Sequence, residues 1–146
     1  MATPLISLII PTYNEKENIG RLLVALDRVF RTTGLRAEIL VIDDNSPDGT
    51  ARAVRERKKS TIPIRLIVRD SKKGLSSAVI EGFRHARGSL IGVMDADFSH
   101  PPELIPQLVQ PLLNHRADVV VASRYTAGGQ VSNWPLRRQL ISFGAR

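Results

Sequence analysis

Short apolar runs alternate with longer amphipathic segments along the chain, and this alternation constrains the fold more than any other feature of the sequence. Runs that are apolar at nearly every position are typical of strands buried on both faces of a parallel sheet. Their alternation with helices predicts an α/β fold, with a mostly parallel central sheet and helices on both faces. The predicted strands are PLISLIIP, AEILVID, IPIRLIV, SLIGVMD and ADVVVAS, at residues 4–11, 37–43, 62–68, 89–95 and 117–123.

Four segments between these strands have the periodicity of amphipathic helices. They span residues 15–30, 48–59, 74–86 and 101–113. The first helix is predicted to bury a face of Ile19, Leu22, Leu23, Leu26 and Phe30. The third is predicted to bury a face of Leu75, Ala78, Val79, Gly82, Phe83 and Ala86. Pro102 suits the first turn of the fourth helix, whereas Pro106 and Pro111 should shorten or bend it.

Composition narrows the classes of protein that the chain can belong to. The 146 residues correspond to about one domain, and the net charge of +7 favours anionic partners. The basic stretch at residues 52–60 has no interleaved aromatic residues, so we do not interpret it as a nucleic-acid surface. The absence of cysteine excludes disulfides, thiolate zinc sites and a cysteine nucleophile. No apolar run approaches the roughly 18 residues that a membrane-spanning helix needs.

Acidic residues follow three of the predicted strands. Right-handed crossovers place the carboxyl ends of parallel strands at one edge, where open α/β folds bind ligands. The acidic residues expected at this edge are Glu15, Asp43, Asp44, Asp48, Asp95 and Asp97. Like charges at short distance raise one another's pKa or need a cation between them, and the two carboxylates of Asp95-Ala96-Asp97 suit Mg²⁺ or Mn²⁺. The sequence therefore predicts a divalent metal that binds a phosphate-bearing ligand.

Other polar residues near this edge are interpreted as structural from their residue types. Asp43 is expected to accept hydrogen bonds from loop N–H groups, and residues 48–50 to form a turn and helix cap. For His100 a structural role in the loop is favoured over the alternative role of a ligand. Lys72 and Lys73 precede the third helix, whose N-terminus favours an anion, and they are second-rank phosphate candidates.

The first strand is not followed by a Gly-x-Gly-x-x-Gly motif, and the chain has no P-loop, so neither of these nucleotide sites is expected.

Five motifs together resemble a known family. In chain order the motifs are PTYNEKENI, VIDDNSPDGT, KKGLSSAVIEGFRHARG, MDADFSHPPELI and ASRYTAGGQVSNWPLRRQLIS. This combination resembles family 2 glycosyltransferases of the GT-A fold, and within them the dolichol-phosphate (polyprenyl-phosphate) mannosyltransferases. The resemblance covers essentially the whole chain.

The resemblance implies a role for particular residues. It implies that the nucleoside is bound by Pro11, Tyr13, Glu15, Ile42 and Asp44. It also implies that Asp95 and Asp97 bind Mg²⁺ or Mn²⁺ on the donor diphosphate, with Ala96 packed near the nucleotide. Ser99 stands where the family often carries a longer glutamine, so a water is expected to intervene there. Arg124 is implied to contact phosphate, and Arg138 the acceptor phosphate, because the guanidinium group can bind phosphate through two hydrogen bonds.

The reaction implied by the resemblance is a metal-dependent, inverting transfer of a hexose. The donor implied is a nucleotide sugar, GDP-mannose, and the acceptor is a polyprenyl or dolichyl phosphate. A phosphate acceptor is ionised at neutral pH, so no general base is required. The alternative within the family is transfer of glucose from UDP-glucose. Such an enzyme is expected at the cytoplasmic face of a membrane, next to the lipid surface or a membrane domain, with no nucleic-acid partner.

The last residues leave two interpretations open. NWPLRRQLISFGAR predicts the start of a helix whose apolar and basic residues suit either a membrane interface or packing within the domain. Catalytic domains of the family continue for several tens of residues more. We therefore expect residues 1–146 to be a single glycosyltransferase domain that is truncated at its C-terminus.

Three other classes of protein are alternatives to this interpretation. A haloacid-dehalogenase-type phosphatase needs Thr or Val in place of Ser99 and its aspartates after the first strand. A non-enzymatic receiver module, with Asp95 as phosphate acceptor, needs a lysine where Arg124 stands. A binding module of glycosyltransferase-like fold without catalysis is the third alternative.

Overall fold

The computed structural model describes residues 6–57, 60–71 and 74–123 of the chain. Within them, four parallel strands form one sheet in the order β3-β2-β1-β4. The strands are β1 (Ile6–Thr12), β2 (Ala37–Asp43), β3 (Ile64–Val68) and β4 (Leu90–Val93). Ile9 of β1 lies opposite Leu40 of β2 and Val93 of β4, which fixes the register of the three strands.

Helices connect the strands at the positions that the sequence predicts. The α-helices are α1 (Lys16–Thr33), α2 (Thr50–Arg55), α3 (Leu75–His85) and α4 (Ile105–Leu113). A 3₁₀ turn at Pro102–Leu104 leads into α4. Gly34, with a φ of 68°, ends α1 in the left-handed conformation that favours glycine. No described helix is both long and apolar enough to cross a membrane.

Two hydrophobic clusters, one on each face of the sheet, hold these elements together. The larger cluster packs α1, α2 and α4 against Leu8, Ile10 and Val41. The smaller cluster packs α3 against Ile9, Leu40 and Ile42. The sequence prediction of helices on both faces of a parallel sheet is therefore confirmed. The predicted apolar face of α1 is confirmed as well, because all five of its residues are buried.

The close approach of α3 to the sheet depends on a glycine. A Cβ atom added at Gly82 would lie 2.5 Å from Cγ2 of Ile9, which has no exposed surface. Ala78, the other buried residue of the α3 interface, is also small. Small residues at these two positions allow the helix to pack directly on β1 and β2.

Two predictions about the fold are wrong. Residues 117–123 do not form a fifth strand: Val119 and Val121 are each 77% exposed, and Val120–Ala122 line a cavity beside β4 without pairing with it. A strand without a paired neighbour is not stable. The predicted face of α3 is only partly buried, since Leu75 and Phe83 remain exposed. The helix packs over β1 and β2 through its small residues, and these larger side chains turn away from the contact.

Candidate active site

The carboxyl ends of the strands meet at one edge of the sheet, as predicted. Backbone hydrogen bonds continue the strand ladders into the following loops: the N–H of Asp44 donates to Thr12 (2.9 Å), and that of Arg69 donates to Asp43 (2.9 Å). On the other side of β1, the N–H of Met94 donates to Ile9 (3.0 Å). The loops that follow all four strands are thus held side by side.

Asp43 fixes the loop after β2. Its buried carboxylate accepts hydrogen bonds from the Thr12 hydroxyl (3.0 Å), the Ser46 hydroxyl (2.6 Å) and the Ser46 N–H (3.0 Å). The Ser46 hydroxyl oxygen in turn accepts from the N–H of Asn14 (3.0 Å). This geometry matches the structural interpretation of Asp43, because the carboxylate joins the loops after β1 and β2.

Asp48 connects the starts of α1 and α2. Its carboxylate accepts from the N–H and hydroxyl of Thr50 (2.9 and 2.6 Å) and from the N–H of Lys16 (3.0 Å). Burial raises the pKa of Asp48, but these hydrogen bonds outweigh it, and the pKa lies below its ordinary value. The Thr50 hydroxyl oxygen also accepts from the N–H of Glu15 (2.9 Å). The expected turn at residues 48–50 therefore joins the starts of α1 and α2 beside the carboxyl edge of the sheet.

The loop after β1 presents side chains to the open side of this edge. Tyr13 is 39% exposed, and Pro11 and Glu15 are half-buried. Asn14 has a φ of 60°, a left-handed conformation that is uncommon outside glycine. The Glu15 carboxylate accepts from the amide of Asn18 (2.8 Å) in the first turn of α1, which fixes its direction.

Ile42 and Asp44, the other predicted nucleoside residues, lie beneath the surface. Ile42 is fully buried in the smaller cluster, and Asp44 is only 4% exposed. The Asp44 carboxylate pairs closely with the guanidinium of Arg69 and accepts from the N–H of Gly74 (2.9 Å).

Arg69 completes a buried junction between β3 and α3. The side chain donates to the Ser77 hydroxyl (2.7 Å) and the Gly74 carbonyl (3.0 Å) while it pairs with Asp44. Arg69 is 8% exposed, so its pairing with that carboxylate offsets the cost of burying a charge. Arg69 was not predicted as part of the site, although a charged residue at the end of the apolar run in LIVRD was a usable signal.

The loop after β4 carries Asp95 and Asp97, both exposed, on either side of the buried Ala96. Ala96 packs into the larger hydrophobic cluster and so anchors the two carboxylates to the domain. Asp97 accepts from the N–H and the hydroxyl of Ser99 (2.8 Å each). Burial raises the pKa of Asp97, but these hydrogen bonds and the nearby charge of His100 outweigh it and lower the pKa.

The backbone of this loop is held in an unusual conformation. Phe98 has a φ of 59°, which is rare for a bulky residue. The guanidinium carbon of Arg21 lies 5.5 Å from the centre of the Phe98 ring, a cation–π contact that ties the loop to α1. Nδ1 of His100 is buried and has no hydrogen-bond partner in the part of the chain that the structure describes.

The donor set fits a hard divalent cation with an incomplete protein shell. Two exposed carboxylates offer oxygen atoms, and Ser99 occupies part of the capacity of only one of them. Among residues 6–57, 60–71 and 74–123, no group of three or more acidic, histidine or cysteine side chains is placed to hold a metal. Water and ligand oxygens would have to supply the remaining positions, which is how Mg²⁺ is commonly bound.

Four predicted phosphate-binding residues, Arg124, Arg138, Lys72 and Lys73, lie outside the described residues. The structure therefore does not bear on their roles.

Comparison with known proteins identifies relatives of this chain. The profile of "Glycosyl transferase family 2" matches residues 7–146. A dolichol-phosphate mannosyltransferase of Pyrococcus furiosus is 49% identical over 140 residues, which cover 96% of this chain and 39% of the relative. The enzyme of the same name from Saccharomyces cerevisiae is 39% identical over 96% of this chain and 52% of the relative. The chain thus spans only about two-fifths to half of these curated relatives.

Solved structures give the same fold. The mannosyltransferase PcManGT of Pyrobaculum calidifontis, solved in complex with GDP-Man and Mn²⁺, superposes with a TM-score of 0.58 at 30% identity. That match covers 66% of this chain and 28% of the other. TarS of S. aureus, residues 1–349, superposes with a TM-score of 0.65 at 24% identity, over 77% of this chain and 33% of the other, and shows the fold alone. The predicted GT-A fold is confirmed.

Proposed function

The chain belongs to glycosyl transferase family 2, and on this premise we propose that it is part of an enzyme that transfers mannose from GDP-mannose to a dolichyl or polyprenyl phosphate. Curated relatives at 39–49% identity are named dolichol-phosphate mannosyltransferase, and a related solved structure contains GDP-Man. The phosphatase and receiver interpretations are set aside, because membership of the family covers residues 7–146.

One observation supports this proposal most strongly. Two exposed carboxylates, Asp95 and Asp97, stand on a loop fixed by Ser99 and Arg21, at the same sheet edge as the accessible Tyr13 and the Glu15 carboxylate. A nucleotide laid along this edge would have its base near β1 and its diphosphate near β4. Such an arrangement serves nucleotide-sugar chemistry.

A divalent ion is the proposed cofactor, and Mn²⁺ or Mg²⁺ fits equally well. Asp95 and Asp97 would hold it, since carboxylate oxygens are the ligands that hard divalent cations prefer. When bound, the ion neutralises negative charge on the departing diphosphate. Ser99 acts through Asp97, whose two oxygens it orients by hydrogen bonds of 2.8 Å.

The nucleoside is proposed to rest on the loops after β1 and β2. The Tyr13 ring can support the base, and the Glu15 carboxylate can accept from base N–H or ribose O–H groups. Pro11 shapes the floor of the same loop. Ile42 and Asp44 complete the pocket from below: Ile42 by packing and Asp44 by holding Arg69 and Gly74 in place.

The transfer itself needs positioning more than proton abstraction. A phosphate oxygen of the acceptor attacks the anomeric carbon from the face opposite the nucleoside diphosphate, so the configuration inverts. The acceptor phosphate is ionised at neutral pH, and no general base is needed. Arg124 is proposed to contact donor phosphate and Arg138 acceptor phosphate, which would offset the repulsion between the two anions.

The lipid acceptor implies where the protein works. A polyprenyl chain is held in a bilayer, so the catalytic edge must reach a membrane surface. We propose the cytoplasmic face, on which nucleotide sugars are available. The chain's net charge of +7 would assist contact with anionic lipid headgroups.

Calorimetry tests the proposal directly. GDP, GDP-mannose, UDP and UDP-glucose are titrated into the protein with and without Mn²⁺. We expect GDP-mannose and GDP to bind only with the metal, and Asp97→Asn to abolish that binding. Asp118→Asn, which removes an exposed carboxylate elsewhere, is the matched control and should bind normally. Equal, metal-independent binding of all four ligands would contradict the proposed site, and preferential binding of UDP-glucose would overturn the proposed donor.

A further inference from the structure

Phe98, in the loop after β4, has an unusual backbone conformation for its residue type. Its φ of 59° lies in the left-handed region. The other described residues outside glycine with a positive φ are Asn14, Asn45 and His115, and asparagine and histidine are enriched in that region. A bulky side chain adopts this conformation at a cost in free energy and keeps it where the surroundings hold it. Contacts of the Phe98 side chain must therefore offset the cost.

The Phe98 side chain is held by the larger hydrophobic cluster and by Arg21. The ring packs against that cluster, and the guanidinium carbon of Arg21 lies over the ring, 5.5 Å from its centre. This distance is within the range of about 6 Å over which a cation is attracted to an aromatic face. The neighbours of Arg21 in α1, Leu22 and Leu23, have no exposed surface, so the helix is fixed in the core. The contact thus joins the loop to a rigid part of the domain.

The conformation of Phe98 determines how Asp97 is supported. Ser99 follows Phe98 directly and donates its N–H and its hydroxyl to the Asp97 carboxylate, at 2.8 Å each. Rotation of Phe98 to a negative φ would turn Ser99 away from Asp97. Asp97 would then lose both of the hydrogen bonds that orient its oxygens. The left-handed conformation and the orientation of the carboxylate therefore depend on each other.

We propose that Arg21 is a positioning residue for the divalent ion. Its contact with Phe98 keeps the loop in the conformation in which Asp97 binds the metal, and Arg21 acts through Phe98 alone. A loop held in this way before the ligand arrives does not have to be ordered on binding, which favours affinity. The inference rests on the proposed function, because it takes Asp95 and Asp97 as the metal ligands.

Mn²⁺ affinity in the presence of GDP-mannose, measured by electron paramagnetic resonance of the free ion, tests the proposal. Arg21→Gln removes the cation and keeps a good helix former, and we expect it to weaken Mn²⁺ binding by about two- to fivefold, the effect of a cation–π contact at an exposed site. Arg21→Lys keeps a cation and should recover most of the loss. Arg28→Gln, at an exposed arginine about two turns further along α1, is the matched control and should bind Mn²⁺ normally.

A double-mutant cycle tests whether the effect passes through the ring. Phe98→Leu keeps an apolar side chain against the cluster but removes the aromatic face. We expect Phe98→Leu to weaken Mn²⁺ binding, and Arg21→Gln to have no further effect when it is added to Phe98→Leu. Additive losses would contradict the proposal, because Arg21 would then act on the metal by another route.

Amide exchange of Ser99 in the metal-free protein, followed by nuclear magnetic resonance, reports on the loop without any ligand. Arg21→Gln should speed the exchange of the Ser99 N–H by about two- to fivefold, and Arg28→Gln should leave it unchanged.

Two results would overturn the proposal in distinguishable ways. Mn²⁺ binding that is lost in Asp97→Asn but is unchanged in Arg21→Gln would overturn the role of Arg21 and leave the proposed function standing, even if Arg21→Gln lowered the urea midpoint. No Mn²⁺ binding by the unaltered protein would overturn the metal site, and the role of Arg21 with it, whatever the rate of Ser99 exchange.

Discussion

Replacing Arg69 by methionine should destabilise the domain strongly. The guanidinium pairs with Asp44, and the two residues are only 8% and 4% exposed. Arg69→Met keeps much of the side-chain volume but takes the guanidinium away from the buried Asp44 carboxylate, which keeps the hydrogen bond from the Gly74 N–H. Breaking a buried pair in this way costs about 3–5 kcal/mol. With a urea m-value of about 1–3 kcal/mol/M, the unfolding midpoint should fall by roughly 2 M.

A double-mutant cycle separates the charge from the packing. Asp44→Asn removes the charge from which Arg69→Met takes the guanidinium away, so the double variant should be more stable than Arg69→Met alone. Urea unfolding followed by circular dichroism gives the four free energies, and the m-values should stay equal. A loss below about 1 kcal/mol for Arg69→Met would refute the reasoning, because it would mean that the Asp44 carboxylate reaches water in the folded protein.

Two further predictions concern stability. Gly82→Ala should lower the free energy of unfolding by up to about 2 kcal/mol, since an overpacking cost of about 1–3 kcal/mol against Ile9 is offset by a gain of about 1 kcal/mol in helix propensity. Thermal unfolding checks this, and a stabilised variant would contradict the close approach of α3. Burial raises the pKa of Asp27, but hydrogen bonds from Ser60 and Thr61 outweigh it and lower the pKa. The stabilisation by the Asp27 carboxylate is therefore complete above the unfolded pKa of about 3.9 and is lost as the pH falls through the folded pKa. When the urea midpoint is plotted against pH, Asp27→Asn should flatten the fall at acid pH. An unchanged fall would contradict this.

The sequence predicted those parts of the fold that depend on local pattern. β1 and β2 are apolar at nearly every position, and both are buried on both faces. The apolar residues of α1 around Leu22 and Leu26 follow the helical period, so the sequence predicts which face of the helix is buried.

The fold prediction failed where burial depends on neighbours that the pattern does not reveal. Val119 to Val121 have the composition of a strand, but the described residues offer no paired neighbour to stabilise one. Phe83 has the spacing of a core residue, yet the small Gly82 makes the contact with the sheet and leaves Phe83 at the surface.

The sequence predicted where the candidate site lies but not the side-chain hydrogen bonds and ion pairs that support it. The acidic strand ends predicted the edge at which the candidate residues gather, because parallel topology fixes where carboxyl ends lie. The sequence did not reveal that Asp44 is engaged by Arg69, 25 residues away, since side-chain pairing across strands leaves no periodic signal. The support of Asp97 by Ser99 is local and follows from the short loop between them.

Anomalous diffraction from crystals soaked with GDP-mannose and Mn²⁺ tests the central claim most directly. We expect one manganese peak bound by oxygens of Asp95 and Asp97 and in contact with the diphosphate, with the base beside Tyr13. A nucleotide bound elsewhere, or a manganese ion that neither carboxylate touches, would contradict it.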